Sequence, residues 1–185
     1  KALRAIADST PGVLLIDEAY FDFVETDLKY DPAEIVKNHK NVLVLRTLSK
    51  GYGLAGLRLG YLVGDEELVA PIREKTADSY NTSRLNQELG LVALQDQDYA
   101  NNVWNEIRIE RNRLSEELRM LGFKVNPSQT NFILVESSKL KINAEQIYDR
   151  LRKSGVLVRY FDNKRLKNAF RVTVGTRSQN DIFLE

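Results

Sequence analysis

Unbroken apolar runs and helical patterns alternate in the first part of the chain. The run at 13–16 is bounded by Pro11-Gly12 and by acidic residues, which is typical of a strand buried on both faces. A second apolar run lies at 42–45. Between the runs the pattern predicts a short helix at 32–40, with Asp31 as its N-cap and a proline as its first residue. This order favours two parallel strands connected by a helix.

The rest of the chain continues this alternation and then changes character. Apolar residues spaced three, four and seven apart, with charges between them, predict one long amphipathic helix at 99–121. Before that helix the pattern predicts a strand at 58–63 and further helices at 1–8, 65–76 and 84–94. After it the pattern predicts a strand, a helix and two more strands, at 131–135, 144–153, 156–159 and 170–174.

These elements predict an α/β fold with a mostly parallel sheet and flanking helices, followed by a small α+β domain at the C-terminus. The domain boundary is expected at 115–122, which divides the chain into 1–115 and 116–185. The last residues follow two candidate N-caps, Ser178 and Asn180, and are predicted to be the first turn of a truncated helix. We therefore expect a fragment of a longer protein.

Composition excludes several classes of partner. The chain has 185 residues, 43% of them apolar and 29% charged, as in a soluble globular protein of one or two domains. The net charge of +1, with both signs interspersed, argues against nucleic acid. The absence of cysteine excludes disulfides and thiolate metal sites, and no metal role is expected for His39. The apolar runs are too short to cross a bilayer. We expect a cytoplasmic protein that binds a small molecule or a second copy of itself.

One lysine lies among anion-binding groups directly after the strand at 42–45. The segment Thr47-Leu48-Ser49-Lys50 is followed by a glycine-rich stretch that contains Arg58. Hydroxyl and guanidinium groups suit a phosphate, and a lysine amine forms a Schiff base with an aldehyde. A phosphorylated aldehyde is therefore the expected ligand, and pyridoxal 5′-phosphate is the cofactor that combines both groups.

Two further residues fit the same ligand. Asp17 and Lys50 each follow a predicted parallel strand, and ligands bind at that end of an open α/β sheet. A carboxylate at Asp17 would keep the pyridine nitrogen protonated and make the ring an electron sink. Tyr20 would hydrogen-bond the phenolic oxygen of the ring. Each residue alone has an ordinary explanation, as a cap, a half-buried aromatic or a solvated lysine, so their order along the chain carries the argument.

The motifs resemble those of pyridoxal-phosphate-dependent aminotransferases of class II and fold type I, and among them the histidinol-phosphate aminotransferases. The resemblance covers essentially all 185 residues. It is carried by Asp17-Glu18-Ala19-Tyr20, Thr47-Leu48-Ser49-Lys50, Gly53-Leu54-Ala55-Gly56-Leu57-Arg58-Leu59-Gly60-Tyr61, Asn126-Pro127-Ser128-Gln129-Thr130-Asn131-Phe132 and Phe170-Arg171-Val172-Thr173-Val174-Gly175-Thr176.

The resemblance implies a role for each matching residue. Lys50 would be the catalytic Schiff-base lysine, and Arg171 and Arg159 would bind the anionic groups of the substrate. Without the resemblance, both arginines would be ordinary surface or strand-edge residues. The implied cofactor-binding residues are Asp17, Tyr20, Thr47, Ser49, Lys50 and Arg58.

The resemblance also implies how much of an enzyme is present. It places 1–115 in the C-terminal part of the cofactor-binding large domain and 116–185 in the small C-terminal domain. The upstream half of such an enzyme would supply a phosphate-binding loop, an aromatic residue that stacks on the pyridine, and tyrosines of the substrate site. One of those tyrosines comes from a second subunit, so a homodimer is expected.

The expected reaction is transfer of an amino group between histidinol phosphate and 2-oxoglutarate, in histidine biosynthesis. Two alternatives keep the cofactor: an aromatic amino acid aminotransferase and a threonine-phosphate decarboxylase. A third is a catalytically silent module of the same fold. Arg159 and Arg171 do not choose between the substrates, since both arginines suit a carboxylate as well as a phosphate.

Overall fold

The chain forms two compact units. A computed structural model describes residues 2–76, 81–137 and 140–185. The first unit comprises Lys1–Asp22 and Thr26–Asn101, and the second comprises Phe23–Glu25 and Asn102–Glu185. The division therefore precedes the predicted boundary between 115 and 116.

The first unit consists of a small sheet with helices. Its helices are α1 (Ala2–Ser9), α2 (Pro32–Asn38), α3 (Glu66–Lys75) and α4 (Arg84–Gln95). Its strands are β1 (Leu14–Asp17), β2 (Val42–Thr47) and β3 (Gly60–Gly64), in the order β1-β2-β3. The Asp31 carboxylate accepts a hydrogen bond from the Ala33 amide at 2.9 Å, which confirms the predicted N-cap of α2.

The sheet is mixed, so the prediction of a mostly parallel sheet is wrong for these strands. Strands β1 and β2 are parallel because the chain between them crosses over through α2. Strands β2 and β3 are antiparallel, since the loop at 48–59 contains only a short 3₁₀ turn and leads the chain straight back. A parallel pair needs a crossover connection between its strands, and this loop contains no crossover helix.

The two faces of this sheet have different surroundings. On the core face, Val42 and Val44 pack with residues of α1 and α2 in one buried cluster. Side chains alternate along a strand, and paired residues share a face. Asp17 is paired with Leu45, two residues before Thr47, so Asp17 and Thr47 belong to the opposite face, here called the far face. This alternation decides which polar side chains lie on the core face and which lie on the far face.

The second unit is an antiparallel sheet with helices. Its strands lie in the order β4-β5-β7-β6, and its predicted strand at 156–159 forms only at Arg159–Tyr160. Strand β4 was not predicted because two residues are too short to show an alternating pattern. The elements are α5 (Gln97–Met120), β4 (Lys124–Val125), β5 (Phe132–Glu136), α6 (Ala144–Lys153), β6 (Arg159–Tyr160), β7 (Ala169–Thr173) and α7 (Arg177–Leu184).

Helix α5 explains why the division between the two units precedes the predicted boundary. Leu114 and Leu118 are fully buried in the core of the second unit, with Ile133 and Phe170 from its sheet. Ile107, earlier on the helix, packs against the same core. Most of α5 therefore belongs to the second unit.

In the described residues, no helix is both long and apolar enough to span a bilayer.

The last helix begins earlier than predicted. Thr176 is its N-cap and forms a capping box with Gln179, each side chain bonding to the backbone of the other residue. The predicted caps were Ser178 and Asn180. Instead, Asn180 is 3% exposed and donates a hydrogen bond to the Glu110 carboxylate at 2.9 Å. A buried tertiary contact therefore uses the side chain that the sequence pattern suggested for the cap.

A buried arginine explains why Phe23–Glu25 belongs to the second unit. Arg111, on α5, is 1% exposed. Its guanidinium donates to the carbonyl oxygens of Phe23 at 2.7 Å and Thr130 at 3.0 Å, and to the Glu25 carboxylate at 2.6 Å. A buried cation needs such a set of acceptors to offset its desolvation.

We expect Arg111→Met to lower the free energy of unfolding by about 3 kcal/mol, because buried acceptors and a carboxylate lose their donor. Urea unfolding followed by circular dichroism measures the change. Arg152→Met, at an exposed position of α6, is the control and should change stability by less than about 0.5 kcal/mol. Equal effects of the two substitutions would contradict the structural role of Arg111.

Candidate active site

The lysine segment forms a loop closed by hydrogen bonds at the end of β2. The Leu48 side chain is 1% exposed, and its amide donates to the Leu59 carbonyl at 3.1 Å. The Thr47 hydroxyl accepts from the Ser49 amide at 3.1 Å and donates to the Leu59 carbonyl at 3.3 Å. Lys50 follows as an exposed residue. The loop therefore presents the lysine amine to solvent on a fixed backbone.

Arg58 has a strained backbone conformation. Its φ of 51° and ψ of 40° lie in the left-handed region, which costs a residue with a side chain about 1 kcal/mol or more. Its guanidinium is exposed, and Nη1 donates to the Ala55 carbonyl at 3.2 Å. Strain of this kind is frequent where a ligand is bound. The arrangement presents a guanidinium beside the lysine loop, within the first unit.

Asp17 and Tyr20 lie on a tight turn after β1. Asp17 is exposed, and its Oδ1 accepts from the Ala19 amide at 3.0 Å. This Asx turn fixes the direction of the carboxylate. The Lys50 Nζ lies 5.6 Å from the centroid of the Tyr20 ring. The structure therefore brings Lys50 and Tyr20 together, and it places Asp17 on the same sheet face as Thr47.

A buried ion cluster on the core face was missed by the sequence analysis. It comprises Glu18, Asp22, Tyr30 and Arg46. Arg46 Nε donates to the Glu18 carboxylate at 2.6 Å, and the Tyr30 hydroxyl donates to the same carboxylate at 2.6 Å. The Arg46 guanidinium also lies 3.7 Å from the centroid of the Phe21 ring. The available signal was alternation, since Glu18 follows Asp17 and Arg46 precedes Thr47, which puts both on the opposite face.

Burial changes the electrostatics of this cluster. The Asp22 side chain is 10% exposed, and its carboxylate lies 3.8 Å from Arg46 Nη1. Burial raises the pKa of Asp22 to about 6; Arg46 opposes this rise and Glu18 adds to it. Burial also raises the pKa of Tyr30, and its hydrogen bond to Glu18 raises it further. Tyr30 therefore stays a proton donor, while Asp22 titrates in mildly acidic solution.

The two predicted substrate arginines are neighbours on the sheet of the second unit. Arg159 and Arg171 are paired across β6 and β7, so their side chains share a face. The Arg171 guanidinium lies 4.8 Å from the centroid of the Phe132 ring, and its Nε is buried without a hydrogen-bond partner in the described part of the chain. Like charges directly opposite each other are unfavourable. An anion bound at the two guanidinium groups would offset their repulsion and satisfy the buried Nε.

The residues of the first unit fit a phosphorylated aldehyde. They include an exposed amine at Lys50, a guanidinium at Arg58 and the half-buried Ser49 hydroxyl. The predicted role of Thr47 as a phosphate ligand is less well supported, because its hydroxyl already bridges Ser49 and Leu59 inside the loop. The roles of all these residues toward a ligand stay predictions.

Known sequences match the chain over its whole length. The sequence model of the family described as Aminotransferase class I and II matches residues 1–185. Histidinol-phosphate aminotransferase 1 of Nostoc sp. is 43% identical over 183 residues, which are 99% of this chain and 50% of the relative. The histidinol-phosphate aminotransferase of Crocosphaera subtropica is 42% identical over 183 residues, 99% of this chain and 51% of the relative. The chain thus spans about half the length of these relatives, and its predicted place in their C-terminal half stays a prediction.

Solved structures agree with the sequence matches. Histidinol-phosphate aminotransferase from Sinorhizobium meliloti, in complex with pyridoxal-5′-phosphate, has a TM-score of 0.86 and 31% identity. The match covers 99% of this chain and 50% of that one. The enzyme from Clostridium acetobutylicum has a TM-score of 0.86 and 26% identity, over 99% of this chain and 55% of that one. The fold is that of pyridoxal-phosphate-dependent aminotransferases, α/β with a mixed sheet, and the chain belongs to the class I and II aminotransferase family.

Proposed function

We propose that this chain is part of an aminotransferase that uses pyridoxal 5′-phosphate to move an amino group between histidinol phosphate and 2-oxoglutarate. The observation that carries the proposal is the position of Lys50. Its exposed amine lies beside Tyr20, and it follows β2, which is paired with β1, the strand that ends at Asp17. Curated relatives at 36–43% identity are histidinol-phosphate aminotransferases, and this similarity favours that substrate over the other members of the family.

Lys50 would do the acid–base chemistry. The cofactor, when bound, supplies an electron sink for the electron pair left on the substrate carbon. The Lys50 amine would hold the cofactor aldehyde, give way to the amino substrate, and then carry a proton from the substrate Cα to the cofactor carbon. Its exposure at the loop leaves it accessible for these steps.

Asp17 and Tyr20 would orient the ring and tune its charge. The Asp17 carboxylate would keep a proton on the pyridine nitrogen, because a negative charge beside that nitrogen favours its protonated form. The hydrogen bond from the Ala19 amide holds the carboxylate in place for this contact. The Tyr20 hydroxyl would donate to the phenolic oxygen. Ser49 and Arg58 would bind the phosphate through one hydroxyl and one guanidinium group.

The second unit would bind the anionic end of the substrate. Arg171 and Arg159 present two guanidinium groups on one sheet face, and a phosphate accepts hydrogen bonds from such groups in bidentate fashion.

In this proposal the first unit is part of the cofactor-binding domain. The homodimer and the cytoplasmic location stay predictions. An aromatic amino acid, or threonine phosphate with decarboxylation, would use the same cofactor, and a silent module would retain the fold without turnover.

We expect pyridoxal 5′-phosphate, added at one equivalent and reduced with borohydride, to be attached to Lys50 in preference to other lysines. Peptide mass spectrometry measures the site and the extent. Lys50→Ala should lose at least about nine-tenths of the label, whereas Lys75→Ala, at an exposed position of α3, should keep it. Label spread evenly over surface lysines would contradict the assignment of Lys50.

We expect Arg171→Ala to weaken binding of histidinol phosphate about tenfold or more, which corresponds to about 1.4 kcal/mol. The reason is the loss of a charge-assisted hydrogen-bond donor. Isothermal titration measures the affinity, with phenylalanine and threonine phosphate as competing ligands. Arg165→Ala, at an exposed loop position of the same unit, is the control. If Arg171→Ala instead abolished cofactor labelling at Lys50, Arg171 would not be a substrate residue, and a response to no ligand would favour the silent module.

A further inference from the structure

The buried ion cluster lies directly behind the proposed cofactor residues. Glu18 is the residue after Asp17, and Arg46 is the residue before Thr47. Their side chains point to the core face, where they are 4% and 17% exposed and joined at 2.6 Å. An ion pair between these positions fixes the ends of β1 and β2 against each other. It thereby fixes the backbone from which the far-face residues project.

Asp22 extends this cluster to the lysine loop. Gly51, the residue after Lys50, is buried. A Cβ added at Gly51 would overlap the Asp22 carboxylate, and its three nearest heavy atoms all belong to the Asp22 side chain. The φ of Gly51 is outside the left-handed region, so the glycine is required by this close approach and not by its backbone conformation. The Asp22 carboxylate thus packs against the backbone one residue from the lysine.

Within the cluster, the charge of Asp22 is the one that we expect to change with pH. Two carboxylates face one guanidinium, and Arg46 lies closer to Glu18, at 2.6 Å, than to Asp22, at 3.8 Å. Burial raises the pKa of Asp22 to about 6, so its charge is lost as the pH falls through that value. Tyr61 on β3 also faces these groups, and burial raises its pKa, so it remains neutral in this range.

We propose that Asp22, held by Arg46 and Glu18, is a positioning residue that sets the backbone of Lys50 and Gly51 and hence the reach of the lysine amine. The inference rests on the proposed role of Lys50. Asp22 would touch neither cofactor nor substrate. It would act through its contact with Gly51, and its ionised form would be the one that Arg46 holds in place.

Substitution of Gly51 tests the contact. We expect Gly51→Ala to slow borohydride-trapped labelling of Lys50 by pyridoxal 5′-phosphate about tenfold or more, because Asp22 and the loop must move apart. Gly56→Ala is the matched control in the same loop, where an added Cβ meets nothing within 4 Å, and it should change the rate less than about twofold. Asp22→Gly combined with Gly51→Ala removes the overlapping atoms but also the carboxylate that sets the loop, so its rate should stay well below that of the wild type. Equal slowing by the two alanine substitutions, or a wild-type rate in the double variant, would overturn the proposal.

The pH dependence tests the ionised state. We expect the labelling rate of the wild-type chain to show an inflection near pH 6 that Asp22→Asn lacks. Because folding raises this pKa, ionisation of Asp22 disfavours the folded state. The stability of the wild-type chain relative to Asp22→Asn should therefore fall as the pH rises from about 4 to about 6. Glu18→Gln removes a neighbouring negative charge and should move the inflection to lower pH. Matching pH profiles of the wild type and Asp22→Asn would overturn the proposal.

Carbon-13 NMR of the Asp22 carboxyl group separates this inference from the proposed function. Without any cofactor, the group should titrate near pH 6 in the wild type and in Gly56→Ala, and nearer to its ordinary value of 3.8 in Gly51→Ala. Ordinary titration in the wild type would overturn the positioning role, even if Lys50 is labelled. If the Asp22 carboxyl group titrates as expected but Lys50 of the wild type is not labelled, that result would instead contradict the proposed function, and with it the positioning role that depends on it.

Discussion

The first unit depends on the buried ion pair between Arg46 and Glu18. Taking both charges out of water is costly, and the cost is offset by close geometry, the Tyr30 hydroxyl and the Phe21 ring. Since the two residues lie near the ends of neighbouring parallel strands, the pair joins those ends to each other. The turn with Asp17 and Tyr20 and the loop with Lys50 both start from these strand ends, so the candidate site is built on this pair.

In both units, the two faces of the sheet carry different kinds of side chain. In the first unit, apolar and ion-paired side chains occupy the core face, while Asp17 and Thr47 belong to the far face. In the second unit, Phe170 and Val172 pack into the core, and Arg171 between them belongs to the other face with Arg159. Residues that are adjacent in sequence thus lie on opposite faces of the sheet, with the core side chains on one face and the candidate ligand-binding side chains on the other.

The predicted elements were most accurate where the signal was local. The apolar runs of β1 and β2, the Asp31 cap of α2 and the amphipathic period of α5 depend on residues within a few positions of each other. The structure differs from the predictions where distant residues decide. The direction of β3 depends on how its loop returns, the domain boundary depends on which core receives Leu114 and Leu118, and the cap of α7 depends on the buried contact of Asn180 with Glu110.

The sequence by itself determined the family and predicted the chemistry of the candidate site. The order of Asp17, Tyr20 and Lys50 along the chain is visible in the sequence alone, and it does not depend on how the elements pack. Tertiary structure alone decided that Glu18, Arg46 and Asp22 meet behind these residues, and that Gly51 must lack a side chain. The physical reason is that burial and ion pairing depend on register and close approach between segments about 30 residues apart, which local patterns do not encode.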